Sequence, residues 1–180
     1  MSKKYNYKIF NDLVYWYLSY RGKVFEVIFD KNNLEKIINF KYRWHVKRYN
    51  QIDGYYVEAT EYLGTLFGKP QYKTVLLHRF LLNASEEEVI DHKNHNPLDY
   101  RISNLRKCSD LLNLKNRRKK NSNNTSGYRN VTWMSGYWRV QVQVNGKNKI
   151  FDEKFEDVDL AGEFAEEMRK KYYGEYAGKN

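Results

Sequence analysis

Asp91 and His92 are adjacent, and Asn104 and Asn113 follow them within one segment, 89–121, that also holds His95 and Cys108. These residue types limit the chemistry available. A closed zinc site needs a tetrahedral set of thiolates or imidazoles. Cys108 is the single cysteine, and His92 and His95 stand only three residues apart, so a zinc finger is not expected. A hard dication wants oxygen ligands, usually one or two carboxylates completed by phosphate and water. Asp91 offers a carboxylate and Asn113 an amide oxygen. A site this poor in protein charge binds metal well only when a phosphate joins it. A histidine beside such a carboxylate can take a proton from water, because its ordinary pKa lies near neutrality. In a strand, neighbouring side chains point to opposite faces. Asp91 and His92 therefore serve one site only if the backbone bends or the scissile phosphate lies between them. Asn104 is a candidate to hold the imidazole by a side-chain hydrogen bond.

The surrounding charge points to a polyanionic partner. The chain has 180 residues and a formal net charge of +10. Residues 101–120 carry Arg101, Arg106, Lys107, Lys115, Arg117, Arg118, Lys119 and Lys120 against Asp110 alone. Clustering of this kind is the electrostatic footprint of nucleic-acid binding. A solvated basic face would look the same, but this cluster abuts the Asp-His pair. No window is long and apolar enough for a membrane span. The start, "MSKKYNYKIFNDL", lacks an apolar stretch, so a secretory leader is not expected. One cysteine allows no disulfide within a chain, which suits a reducing, cytoplasmic setting.

These residues need elements to position them. Residues 5–60 read as short strands, with "NNLEKI" as a turn and short helix, and "RWHVKRYN" and "YYVEATEYL" joined at Asp53-Gly54. "FGKP" breaks the pattern before the apolar run "YKTVLLHRFLL". Ser85 followed by Glu86, Glu87 and Glu88 predicts a helix N-terminus. "SDLLNLKNRRKK" predicts a helix over 109–120 with a basic second half. "NSNNTSG" (121–127) is polar enough to be a linker or a DNA-tracking arm. Beyond it, "YRNVTWM", "YWRVQVQVNG" and "KNKIFDEKF" predict three strands. The second alternates Trp138, Val140, Val142 and Val144 against Arg139, Gln141, Gln143 and Asn145. Asn145-Gly146 is a hairpin turn. Asp157 or Asp159 opens a helix whose Leu160, Ala161, Phe164, Ala165, Met168 and Tyr172 would cover the sheet. Arg139, Gln141 and Gln143 would then face outward, where Arg can read guanine and Gln adenine in the major groove.

"VIDHKNHNPLDYRISNLRKCSDLLNLKNRR" resembles the HNH motif of phage and intron-encoded homing endonucleases. The similarity rests on Asp91-His92, on Asp99, Arg101, Ser103, Asn104, Leu105 and Arg106, and on Asn113 and Asn116. It implies a ββα-metal unit with one Mg²⁺ (or Mn²⁺) per active site. By position it implies Asp91 and Asn113 as metal ligands, His92 as general base and Asn104 as its orienting residue. "LLHRFLL" is similar to a segment that precedes the motif in this family. His78 and Arg79 are thus weaker candidates for substrate positioning or packing, and His95 matches no role. The tail "SGYRNVTWMSGYWRVQVQVNG…YYGEYA" resembles an AP2 DNA-binding domain, with Arg129 inside its "G-Y-R-x-V" element. One departure stands out: "DLAGEFA" replaces the family's double-alanine run.

The expected fold class is α+β. Its parts are a β-rich region over 1–74 that is a candidate for DNA contact, a ββα-metal unit over 75–120, a linker or DNA-tracking arm over 121–127, and a three-stranded sheet with a helix over 128–180. The expected activity is metal-dependent hydrolysis of a phosphodiester in double-stranded DNA, by a monomer that nicks one strand. Arg101, Arg106, Lys115, Asn116, Arg117, Arg118, Lys119, Lys120, Arg129, Arg139, Gln141 and Gln143 would contact the DNA, and no membrane is involved. The setting is the cytoplasm of a bacterium or of a phage-infected host. The chief alternative is a non-catalytic DNA-binding regulator with a decayed nuclease unit. An RNA- or ribosome-binding protein would leave the Asp-His-Asn-Asn set without a purpose.

Overall fold

The computed structural model describes residues 5–50, 54–108 and 123–178. The chain is strand-rich α+β, with several small antiparallel sheets. It forms two compact units, Met1–Cys108 and Ser109–Asn180.

In the first unit, β1 (Asn6–Phe10), β2 (Leu13–Tyr20) and β3 (Lys23–Asp30) form a meander. The alternation along β2 buries Val14, Trp16 and Leu18, and β3 buries Val27 and Phe29 beside them. Cross-strand partners Val14 and Phe29, and Trp16 and Val27, set one apolar face. A 3₁₀ turn (Lys31–Asn33) and α1 (Leu34–Ile38) follow, as "NNLEKI" predicts. Trp44 then starts the second sheet with its indole Nε1 donating to the Ile37 carbonyl at 3.0 Å. That sheet runs β4 (Trp44–Tyr49), β5 (Gly54–Leu66) and β6 (Lys69–Leu76). Short α2 (Leu77–Leu82) ends at Asn83, which takes the left-handed conformation at φ +47°. β7 (Val89–His92) and β8 (Leu105–Cys108) close the unit as a two-stranded hairpin.

One apolar cluster unites these pieces. Val14, Trp16, Phe29, Ile37, Trp44, Val57, Leu77, Tyr100 and Leu105 all belong to it. The packing therefore divides at 108/109, and not at the expected 74/75 boundary. The short helix start expected at Ser85 amounts to a single turn, with the Glu88 amide on the Ser85 carbonyl at 3.2 Å, and no helix continues from it. In a helix the 89–92 amides would have to bond the 85–88 carbonyls. Instead Val89–His92 pairs with β8, and the Arg79 guanidinium takes the carbonyls of Glu88 (2.7 Å) and Ser85. The acids serve elsewhere: Glu86 pairs with Lys73 at 2.8 Å and Glu88 with Lys107 at 2.9 Å.

The second unit has the three strands that its alternation predicts, β9 (Val131–Met134), β10 (Tyr137–Val144) and β11 (Lys147–Phe155), with β10 central. Asn145 and Gly146 both have positive φ, as their two-residue turn requires. Asp157 caps α3 (Val158–Tyr173) by accepting from the Asp159 and Leu160 amides. Val131, Val140, Ala161 and Ala165 share a core. Leu160, expected on that face, is exposed, while Ala161, Ala165 and Met168 are buried as expected. Residues 123–127 are not a free linker. Ser126 is buried, donates to the Val131 carbonyl at 3.0 Å and accepts from the Tyr128 amide at 3.1 Å. Two or three local hydrogen bonds order a segment that has no apolar side chains to bury.

Gly162 sits where a side chain has no room. A Cβ there would lie 2.3 Å from the Tyr128 ring, whose hydroxyl is held by Asp159 at 2.6 Å. Helix propensity alone would make Gly162→Ala stabilising by about 1 kcal/mol. Overpacking against an anchored ring reverses the sign, and a net loss of about 1–3 kcal/mol is expected in denaturant unfolding of the variant. A gain in stability would show that the ring yields.

Candidate active site

The β7–β8 hairpin brings the chemistry-bearing residues together. Asp91 lies directly opposite Arg106, and His92 opposite Leu105. Both Asp91 and Arg106 are buried, and Arg106 Nε and a terminal nitrogen sit 2.8 and 2.7 Å from Asp91 Oδ2. Arg106 is thus a partner of the Asp91 carboxylate and not the surface DNA contact expected of it. Arg101 likewise forks onto the buried Asp99 carboxylate, at 2.9 and 2.5 Å. The hydrogen bonds and charge of Arg101 outweigh burial and hold the Asp99 carboxyl below its ordinary pKa.

The connecting loop, 93–104, is built by its asparagines. The Asn104 amide oxygen accepts from the Asn94 backbone at 3.0 Å, and its nitrogen donates to the Asp99 carbonyl at 2.8 Å. Asn94 donates to Asp99 at 2.7 Å and accepts from the Asn96 amide at 2.9 Å. Asn96 in turn accepts from Leu98. Side chains here do what a regular ladder does elsewhere. The Asn104 side chain bonds the loop, and its carbonyl accepts from the Lys93 amide next to His92 at 2.9 Å. Lys93 Nζ also closes on the Ser103 carbonyl at 3.0 Å.

The loop is moored to the first sheet. Ile28 donates to Leu98 at 3.0 Å, Tyr100 donates back to Ile28 at 2.7 Å, and the Ile102 amide donates to Asp30 at 2.7 Å. Tyr100 is wholly buried and its hydroxyl accepts the Val57 amide at 2.7 Å.

This mooring walls in His92. Its ring centroid lies 5.5 Å from Tyr100, 5.9 Å from Tyr56 and 5.5 Å from His78. His92 Nε2 and His78 Nδ1 are buried without a hydrogen-bond partner among the described residues. Burial pushes His92 down to about 4 although Asp91 and Asp99 pull the other way. Burial, then His92 and Arg79, push His78 down to about 3. Both rings are therefore neutral at physiological pH. Burial, and next the Asp91 charge, raise the Tyr56 hydroxyl pKa. Tyr56 and Tyr100 were not among the sequence candidates. Tyr56 lies in the tyrosine-rich strand β5 and Tyr100 in the 93–104 loop, and neither position carries a local signal of its role. Arg79 packs the α2–β7 connection, as its bonds to Ser85 and Glu88 show.

Among the described residues no group of three or more His, Cys, Asp or Glu side chains is placed to hold a metal. The site offers the buried Asp91 carboxylate next to a neutral imidazole with an unsatisfied nitrogen, but Asp91 Oδ2 already takes Arg106, so a hard dication would have to draw most of its oxygen ligands from substrate and water. Asn113, Lys115, Asn116, Arg117, Arg118, Lys119 and Lys120, with the helix expected over 109–120, lie outside the described residues. In the second unit Arg129 is buried, its guanidinium directed to the Ala177 carbonyl at 3.5 Å, which removes it from a DNA-facing role. Arg139, Gln141 and Gln143 alternate with the buried Val140 and Val142, with Arg139 and Gln141 half-buried and Gln143 exposed. Compared with protein-family models, curated proteins and solved structures, the chain finds no match in any of the three. No helix among the described residues is long and apolar enough to cross a membrane.

The two histidines couple stability to acidity. Unfolded, they protonate near 6.5; folded, they stay neutral until about 4 and 3. Between those values the unfolded chain binds more protons, so stability is intact above 6.5 and drains as the pH falls through the window. The pair titrates together, so the slope belongs to both. Urea unfolding across that window is expected to show a shallower loss in His78→Phe than in wild type. Equal slopes would mean that the rings are already solvated.

Proposed function

We propose that this chain is a metal-dependent DNA endonuclease of the HNH type. The observation that carries the reading is His92 Nε2, a buried ring nitrogen without a partner, one residue from the buried Asp91 carboxylate. Structural histidines inside proteins satisfy their ring nitrogens. An unsatisfied one beside a carboxylate, on a hairpin braced by an asparagine loop, is placed for work.

His92, neutral, would accept a proton from the attacking water as general base. Asp91 would hold the metal, with Asn113 as the second ligand that the resemblance implies. A bound Mg²⁺ would supply Lewis-acid stabilisation of charge on the leaving oxygen, leaving 5′-phosphate and 3′-hydroxyl ends. Arg106 would keep the Asp91 carboxylate ionised and oriented inside the unit. Asn104 and Asp99 would hold the loop that fixes His92. The net charge of +10 would supply salt-dependent affinity for the duplex. Arg139, Gln141 and Gln143 would read bases. One site per chain makes a monomer a nicking enzyme.

A non-catalytic DNA-binding protein is the second reading. The Asp91–Arg106 and Asp99–Arg101 pairs favour it, because both carboxylates already have cations. Supercoiled-plasmid relaxation separates the two. Nicking is expected with Mg²⁺ and not with EDTA, and His92→Ala should lower it about 10²–10⁴-fold with DNA affinity retained. Arg139→Ala should relax sequence choice and leave the cleavage rate on bound DNA unchanged. Normal cutting by His92→Ala would sink the base assignment, and metal-independent retention of DNA without cutting would favour the second reading.

A further inference from the structure

The β5–β6 hairpin runs well past the sheet that it belongs to. β4 pairs with β5 only over Gly54–Ala59, whereas β5 and β6 stay paired out to Leu66 and Lys69. From Tyr62 to Leu66 the hairpin is a two-stranded arm about 16 Å long. Such a ribbon buries little and is marginal in water by itself. Its root is steadied by the Tyr42 hydroxyl, which donates to the Tyr62 carbonyl at 3.0 Å, and by the cross-strand pair Tyr62 and Tyr72 at 5.6 Å. Its tip is apolar and solvated. Leu63 and Leu66 are exposed, and Phe67 is 95% exposed.

Phe67 also has the wrong backbone for its side chain. The turn Phe67-Gly68 has φ +48° and +73°, left-handed at both central residues. Asn, Asp or Gly would fit there with less strain. The other two-residue hairpin turns place Asn11, Arg21, Ser135 and Asn145 in that first position. Among the described positive-φ residues Phe67 is the one apolar side chain. A bulky residue held in a disfavoured conformation, with its ring almost fully exposed, points to a use outside the fold.

The surroundings choose the occupant. β6 is an edge strand, and Pro70 together with Lys69 and Lys73 blocks strand addition by a second copy. No acidic residue lies between Tyr62 and Tyr72; Lys69 lies within the arm and Lys41 sits 5.4 Å over the Tyr42 ring at its root, while the flanking pair Glu61 and Lys73 is balanced, Lys73 being bonded to Glu86. An apolar tip on a cationic arm fits a polyanion whose interior offers flat apolar faces. We infer that Phe67 is a DNA wedge, carried by the β5–β6 arm into a base step of the duplex. This rests on the DNA-directed reading above and adds to it a contact outside both resembled motifs. Proteins that unstack a base step in this way kink the duplex and gain contact area.

The test uses the full chain with Phe67→Asn and Phe67→Leu. Asparagine suits the left-handed turn, so Phe67→Asn should melt at or above the wild-type temperature, and lost binding cannot then be unfolding. The probe is a mixed-sequence duplex carrying 2-aminopurine, read by anisotropy for affinity and by fluorescence for unstacking. Wild type should brighten the probe. Phe67→Asn should bind about tenfold more weakly and leave it dark, and Phe67→Leu should keep part of both effects. Unchanged affinity and brightening in Phe67→Asn, or no brightening by wild type, overturns the wedge. So does a Phe67→Asn defect confined to self-association or to anionic phosphatidylserine vesicles. Plasmid nicking by the same proteins keeps the two readings apart. If wild type nicks and Phe67→Asn equals it in every DNA readout, only the wedge fails. If wild type neither binds nor cuts duplex, the DNA reading fails as well.

Discussion

The Tyr100 side chain is the tie on which the first unit depends. Its hydroxyl accepts the Val57 amide from β5, its backbone amide bonds Ile28 on β3, and its ring lies in the common core. Three separately paired sheets meet at this one residue. A buried phenol needs a partner for its oxygen, and the partner here is a backbone amide that would otherwise be an orphan. Shape and polarity thus demand the same arrangement, and the 93–104 loop has one place to dock. The wall around His92 is a by-product of that docking.

The unit buries more charge than its modest core would suggest. Asp91, Asp99 and Glu58 are each almost fully enclosed. Each is matched at close range: Asp91 by Arg106, Asp99 by Arg101, and Glu58 by Lys47 at 3.1 Å, His45 at 3.4 Å and the Tyr49 hydroxyl. Burial and Glu58 together raise the Tyr49 pKa. Of these, Asp91–Arg106 is buried on both sides, while Arg101, Lys47 and His45 keep part of their side chains in water. Fully buried pairs add little net stability over apolar isosteres, yet losing one partner costs about 3–5 kcal/mol. They are therefore better at excluding alternative packings than at deepening the native one. The polar cluster on β4 and β5 lies on the same strands as Tyr56, so the His92 surroundings are set by several locked residues at once.

The short-range features were the legible ones. Alternation located β10, and Asn145-Gly146 its turn, because both signals act over a few residues. A helix start at Asp157 or Asp159 was readable for the same reason, and Asp157 is the one that caps. Ser85 misled because its three following acids fit a helix start locally, while the decision was made by Arg79 and by the distant strand Leu105–Cys108. The asparagine-rich stretch 93–104 reads as chemistry in one dimension, and much of it turns out to be scaffolding: Asn94, Asn96 and Asn104 bond the loop. Arg101, Arg106 and Arg129 read as DNA contacts for the same reason. Charge is visible in a sequence and its intramolecular partner is not. Tyr56 and Tyr100 went unmarked because nothing local separates them from the other fifteen tyrosines among the 17.

The mooring of the loop to β3 has a kinetic consequence. Ile102 reaches Asp30 across 72 residues of sequence. Contacts of such separation pay their loop-closure entropy before anything rewards it, so they form late in folding. The β7–β8 hairpin alone could form early, but His92 would then stand in water with an ordinary imidazole's behaviour. Enclosure of the ring waits until β3, β5 and the loop have all met. A chain still emerging from synthesis, or partly melted, would hold the right residues in the right order and lack their environment. Whatever His92 does is thereby confined to the completely folded unit.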